Sequence, residues 1–264
     1  MMGHFVTFLP PKYIMIKKIK RVLEDPHKAV VKFRDRLVRR GLLLQYGKYG
    51  KDLKRYPVIW VRTPKCASSS ILAVLEASDC VVNWTVTRDA VVEPSVLRRK
   101  IICVGADVKE EFRENHPQLW SRAFKWAVVR NPFDKTISAW KYLDSISEVA
   151  LRDVLVSPPG KKQSPSDYHH FTASQFDLLA IDGRLSADKV IYYETLEVDL
   201  KRLFEDLGVP FKGLPKLNRT PSREGVGKMM LDASVVNAIV LRFASDFECF
   251  GYLTDPNHSL PGAR

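Results

Sequence analysis

A chain of 264 residues with 45% hydrophobic content can bury one sizeable core, at the upper edge of what a single core serves. The formal net charge is +12, but residues 1–55 hold 15 Lys/Arg against 4 Asp/Glu and the remainder 27 against 26, so the excess belongs to the N-terminal segment. No run approaches the roughly 18 uncharged apolar residues of a membrane-spanning helix, and four scattered cysteines (Cys66, Cys80, Cys103, Cys249), with no CxxC and no histidine at metal spacing, exclude a zinc site and a disulfide framework.

The chain opens MMGHFVTFLPPKYIMIKKIK, with apolar residues ahead of the lysines and broken by Pro10-Pro11. That is the wrong order for a secretory signal, so a cytoplasmic location is expected. In residues 13–45, Val30, Phe33 and Leu37 recur at helical spacing among Lys32, Arg34, Arg36, Arg39 and Arg40. This predicts a basic amphipathic helix ending at Gly41. Such a segment suits an anionic membrane surface, an acidic polymer or nucleic acid, and it also fits a plain solvated basic face. Residues 46–55 (YGKYGKDLKR) form a polar connector, which divides the chain into a basic helical extension, 1–55, and a main domain, 56–264.

Within the main domain, β-rich runs alternate with helical patterns. Strands are expected at PVIWVR (57–62), KIICVG (100–105), FKWAVV (124–129) and KVIYYE (189–194). Helices are expected at SSSILAVLEAS (68–78), VKEEFRENH (108–116), FDKTISAWKYLDSIS (133–147) and LEVDLKRLFEDLGV (196–209), the last with Gly208 near its end. SPPGKKQSPSDY (157–168) reads as a turn-rich surface loop. The alternation implies an α/β three-layer sandwich, a central mostly parallel sheet flanked by helices.

Two segments carry chemistry. In VIWVRTPKCASSSIL (58–72), a buried strand runs through small and hydroxyl residues straight into a helix. Helix N-terminal amides and the macrodipole favour an anion there, Ser68, Ser69 and Ser70 can add hydroxyls, and Lys65 sits in the turn. An ordinary serine-capped turn has the same local pattern. The loop is not a Walker A motif, because GxxxxGK[ST] is absent. In FKWAVVRNPFDKTISAW (124–140), Pro132 suits a first helical turn and Asn131 its cap. Arg130 is left at a strand's carboxyl end, where open α/β sheets bind ligands, and Ser138 follows about two helical turns on. Two such sites on one sheet suit a ligand with phosphates at two ends.

These residues resemble a known family. RTPKCASSS is similar to the 5′-phosphosulfate loop of Golgi-type and bacterial carbohydrate sulfotransferases, and VVRNPFDKTISAW to their 3′-phosphate motif. IYYETLEVDLKRLFEDLGV resembles their Tyr-Glu-x-Leu segment, while LNRT (217–220) and DFECFGY (246–252) resemble their C-terminal signature. The resemblance spans about residues 57–252. It implies a P-loop NTPase-like fold and a sulfotransferase using 3′-phosphoadenosine 5′-phosphosulfate (PAPS), releasing adenosine 3′,5′-bisphosphate (PAP) without a metal.

By that resemblance, Lys65 stabilises the bridging oxygen, Arg62 and the Cys66-Ala67-Ser68-Ser69-Ser70 turn hold the 5′-phosphate, and Arg130 and Ser138 bind the 3′-phosphate. Asn218, Arg219 and Thr220 close over the nucleotide. The acceptor it implies is a hydroxyl of a carbohydrate or glycolipid. Two departures stand out: Lys135 replaces the usual arginine, with charge kept, and Cys66-Ala67 replaces a more glycine-rich pair.

An alcohol nucleophile benefits from a general base. His170, with His169 beside it, lies where relatives carry a His-aromatic pair before a polar-Gln step, and is the first candidate. Asp107 follows a strand at an acceptor-facing position where several relatives have a histidine. His116, ahead of Pro117, reads as a cap, and Glu194 as structural or nucleotide-side. The rival readings are a P-loop kinase, which lacks its Walker lysine and magnesium carboxylate here, and a basic nucleic-acid binder, whose motifs are absent and whose charge is confined to one tail.

Overall fold

A computed structural model describes residues 53–84, 100–142, 151–156, 172–215, 217, 231–258 and 261. Its frame is a sheet of β1 (Val58–Arg62), β2 (Val81–Asn83), β3 (Ile101–Gly105), β4 (Phe124–Val129) and β7 (Lys189–Tyr192), in the order β2-β3-β1-β4-β7 and parallel throughout. The interior strands are near-continuous apolar runs because parallel strands are covered on both faces. Lys125 interrupts the run in β4 and is neutralised locally: its ammonium donates to the carbonyls of Trp120 and Ala123 and lies 3.4 Å from Asp188.

Side-chain alternation divides the core. Trp60, Cys103, Trp126, Val128 and Ile191 face α1 (Ser68–Ala77) and α7 (Leu196–Leu207), together with Leu53. Trp60 and Trp126 stack there with ring centroids 5.4 Å apart. Ile59, Val61, Val104, Ala127 and Val129 face the other layer. That layer holds α2 (Lys109–Asn115), α3 (Pro117–Arg122), α4 (Pro132–Tyr142), α5 (Leu151–Val156), α6 (Gln175–Leu179), α8 (Ala233–Arg242) and α9 (Ala244–Phe250). A small antiparallel pair, β5 (Ala180–Ile181) and β6 (Arg184–Leu185), follows α6. Among the described residues no helix is long and apolar enough to cross a membrane.

The four expected strands and their helices are present, with two differences. The run KVIYYE leaves the sheet after Tyr192 and turns into a 3-10 segment, Tyr193–Thr195. Its partner β4 ends at Val129, opposite Tyr192, so the ladder has nothing further to pair with. The helix expected over 133–147 starts one residue earlier, at Pro132, and is described as far as Tyr142. The basic helix of 13–45, the loop 157–168, His169, His170, Asn218, Arg219 and Thr220 lie outside the described residues.

Candidate active site at the carboxyl edge of the sheet

The chain leaves β1 toward β2 on one side and leaves β4 toward β7 on the other, so the carboxyl ends of these adjacent strands form a topological switch point. Register pairs Val61 with Ala127, which places the turn after β1 beside the turn after β4. A side-chain bond joins them: the Thr63 hydroxyl donates to the carbonyl of Val128.

The first turn is held in an unusual shape. Lys65 (φ 62°) and Ala67 (φ 60°) are both left-handed, with Cys66 between them in ordinary backbone. Alternation of this kind gathers successive N–H groups into a concave anion-binding nest, and here it opens directly into α1. Ser68 donates its hydroxyl proton to the carbonyl of Thr63 at 2.9 Å, so that hydroxyl braces the turn. Ser69 is exposed at the rim and Ser70 is buried against the core. Cys66 donates to the carbonyl of Pro64 and to Oε1 of Gln175, each at 3.3 Å. Burial pushes its thiol up to about 11, which makes it a neutral packing group and not a nucleophile.

Arg130 reaches from the second turn toward the first. Its Nη1 donates to the carbonyl of Lys65 at 3.3 Å, and its guanidinium carbon lies 4.1 Å from the centre of the Tyr193 ring. Its Nε is buried and has no hydrogen-bond partner among the described residues. The Lys65 ammonium is pulled down to about 8, first by burial and then by the neighbouring charge of Arg130. Two cations are thus drawn together where water is partly excluded, an arrangement that favours an anion between them.

The helix after Arg130 is capped as its sequence suggests. Asn131 Oδ1 accepts from the Phe133 amide at 2.9 Å, and Pro132 occupies the first turn of α4. The Asn131 side chain also donates to the carbonyl of His258 at 3.1 Å. Glu194 closes the arrangement from β7: Oε1 accepts the Asn131 amide at 2.7 Å and Oε2 accepts the Tyr252 hydroxyl at 2.8 Å. Burial raises the Glu194 carboxyl above its usual range. Each oxygen thus braces the turn with one hydrogen bond.

The remaining candidates spread around this edge. Arg62 ends β1, half-buried, and its charge acts on the Cys103 thiol on the face shared with α1. Asp107 is exposed in the turn after β3, one strand from Lys65 on the same edge. Ser138 is half-buried on α4. His116 joins α2 to α3 through its backbone; its ring makes no capping bond and packs 4.8 Å from Phe112. Lys135 does not offer its charge to the mouth. It is buried, donates to the carbonyl of Ala173 at 2.6 Å and sits 4.8 Å from the Phe243 ring, so it is no simple stand-in for a loop arginine.

Three residues that sequence reasoning passed over belong to this region. Tyr193 carries the Arg130 guanidinium, and the buried pair Gln175 and Asp246 stands behind both turns. All three lie in stretches singled out by sequence, Tyr193 in IYYETLEV, Asp246 in DFECFGY and Gln175 in the polar-Gln step, but no role was read for them because their burial was not visible. Among the described residues, no group of three or more His, Cys, Asp or Glu is placed to hold a metal ion.

The Sulfotransferase family model matches residues 52–253, a span that includes the whole sheet and both turns. No curated protein and no solved structure matches the chain. A parallel α/β sheet with two strand-to-helix turns side by side at its switch point, within a family match over most of the chain, places this protein in the sulfotransferase family.

Proposed function

We propose that this sulfotransferase takes the sulfuryl group from PAPS and delivers it to a hydroxyl of a carbohydrate or glycolipid, releasing PAP. The observation that carries the donor assignment is the convergence of Lys65 and Arg130 across β1 and β4, two partly buried cations, the guanidinium Nε having no hydrogen-bond partner among the described residues, between two amide-rich turns. A nucleotide with phosphates at both ends meets such a pair at two points, and the resemblance of both loops to carbohydrate sulfotransferases supports the acceptor class.

In this reading the acceptor oxygen attacks sulfur in line, and the bond from sulfur to the bridging oxygen of the 5′-phosphate breaks. Negative charge grows on that bridging oxygen, where the Lys65 ammonium and the amides at the start of α1 neutralise it. Ser69 lines the 5′ side with Arg62 and the amides of the 66–70 turn, and Arg130 with Ser138 holds the 3′-phosphate. Asn218, Arg219 and Thr220 close over the nucleotide. His170 takes the acceptor's proton, with Asp107 as the alternative base at the exposed edge. Arg, Lys and amides supply all the countercharge, so no metal enters the reaction.

Calorimetry in the presence of a chelator tests the donor reading: PAP binds, and at 100 times its dissociation constant it stabilises the fold by about 2.7 kcal/mol. Stabilisation by ATP with magnesium in place of PAP overturns it. An acceptor screen with labelled donor, followed by mapping of the sulfated position, tests the carbohydrate assignment. The basic segment 1–45, placed by this reading at an anionic membrane surface or an acidic acceptor in the cytoplasm, is tested by its deletion. Nucleotide binding persists, while liposome association or activity on polymeric acceptors falls, as it also does at raised salt.

A further inference from the structure

We propose that Gln175 is a positioning residue that holds the two nucleotide turns in register, an inference that rests on the reading that these turns bind PAP. Its side-chain amide makes four hydrogen bonds. Oε1 accepts from the Arg130 amide at 2.8 Å and from the Cys66 thiol at 3.3 Å. Nε2 donates to the Arg130 carbonyl at 2.8 Å and to Asp246 Oδ2 at 3.2 Å.

Two of these bonds pair the amide with both the N–H and the C=O of Arg130. A side chain therefore does there what a neighbouring strand does along a ladder. Arg130 is the first residue past β4, where sheet pairing has ended and the backbone is about to turn into α4. Without that amide, the Arg130 peptide groups would have no ladder to join, and the direction of the guanidinium would be set by the turn alone. The third bond, from Cys66, runs to the other turn, between the left-handed residues Lys65 and Ala67. One completely buried amide thus touches the backbone of the 3′ turn and the side chain at the centre of the 5′ turn.

The amide is itself fixed. Asp246 is fully buried in the first turn of α9. It accepts from the Ser174 hydroxyl at 2.7 Å, from the backbone amides of Gln175 at 2.9 Å and Phe176 at 2.8 Å, and from Gln175 Nε2. These bonds fix both the start of α6 and the amide's orientation. Rotating the amide would set its NH2 against the Arg130 N–H and its oxygen against two acceptors. Binding a ligand at two distant ends demands that the two turns keep their spacing, and a misplacement of about 1 Å is enough to lose most of the benefit.

The test compares PAP with adenosine 5′-monophosphate, whose affinity ratio measures what the 3′ turn contributes. The wild type binds PAP more tightly. Gln175→Met, similar in size and without the amide, lowers the ratio by about tenfold, as loss of hydrogen bonds that aim a charged group implies, while affinity for the monophosphate changes less. Gln175→Glu keeps the shape but sets an oxygen against the Arg130 carbonyl and the Asp246 carboxylate, and lowers the ratio at least as much. A residue that merely supports folding would lower thermal stability and leave the ratio intact in the folded fraction. An unchanged ratio in the folded variants, or failure of both variants to fold, therefore overturns the positioning role alone. A wild type with no preference for PAP overturns the donor reading as well.

Discussion

The guanidinium of Arg130 donates to the backbone carbonyl of Lys65 at 3.3 Å, tying the arginine of one turn to the lysine of the other. The contact brings two positive charges together, and the consequences for Lys65 and Arg130 can be measured separately.

The Lys65 ammonium is held down to about 8, so it is lost as pH rises through that value. kcat/KM, which reports the free enzyme, should fall on the alkaline side near pH 8. In kcat the same limb should lie at higher pH, because a bound polyanion favours the charged lysine. Lys65→Ala should lower kcat by a larger factor than it weakens PAP binding, since the bridging oxygen gains charge only as its bond breaks. Equal losses would make Lys65 a phosphate anchor and no more.

Arg130→Ala should weaken PAP binding by about 1.5–3 kcal/mol, the range for hydrogen bonds to charged groups. Arg130→Lys should recover little of this, because an ammonium can replace neither the contact with Tyr193 nor the buried Nε donor. Isothermal titration of the two variants checks both statements, and full recovery by lysine would reduce Arg130 to a point charge.

Ala67 is left-handed at the start of α1, a conformation that costs an L-residue about 1–2 kcal/mol. Ala67→Gly should stabilise the fold by about half to one kcal/mol, after the larger entropy that glycine gives up is subtracted. The reverse holds at the end of α7, where Gly208 is left-handed (φ +71°) and an added Cβ would lie 3.0 Å from Lys54 Cε. Gly208→Ala should cost about 1 kcal/mol or more. Urea midpoints should move in opposite directions with unchanged slopes.

Asp246 accepts four hydrogen bonds, and its charge supports the buried Lys135, whose ammonium is pulled below its ordinary range by burial. Asp246→Ala should destabilise by about 3–5 kcal/mol, because it strands a buried cation as well as several donors. Adding Lys135→Met to that variant should recover part of the loss in a denaturant titration. No recovery would mean that the cost lies in the Ser174–Phe176 cap alone.

The sequence by itself determined most of what depends on near neighbours along the chain. The runs VIWVR and FKWAVV had to be covered strands, the residues after them had to leave the sheet into helices, and Asn131-Pro132 had to cap the second one. Strand spacing and helix capping act over a few residues, so both strand-to-helix turns were legible, with Lys65 and Arg130 in them.

Only the tertiary structure decided what those residues do to one another. β2 has three residues and the β5–β6 pair two each, too short for any period to show. Gln175 meets Arg130 across 45 residues of chain and Asp246 across 71. A glutamine that completes a ladder has the same local pattern as one on a surface. The depressed ammonium of Lys65, the inert thiol of Cys66 and the inward turn of Lys135 all come from burial. Burial is a property of the packed layers around a side chain, and no stretch of sequence beside it carries that information.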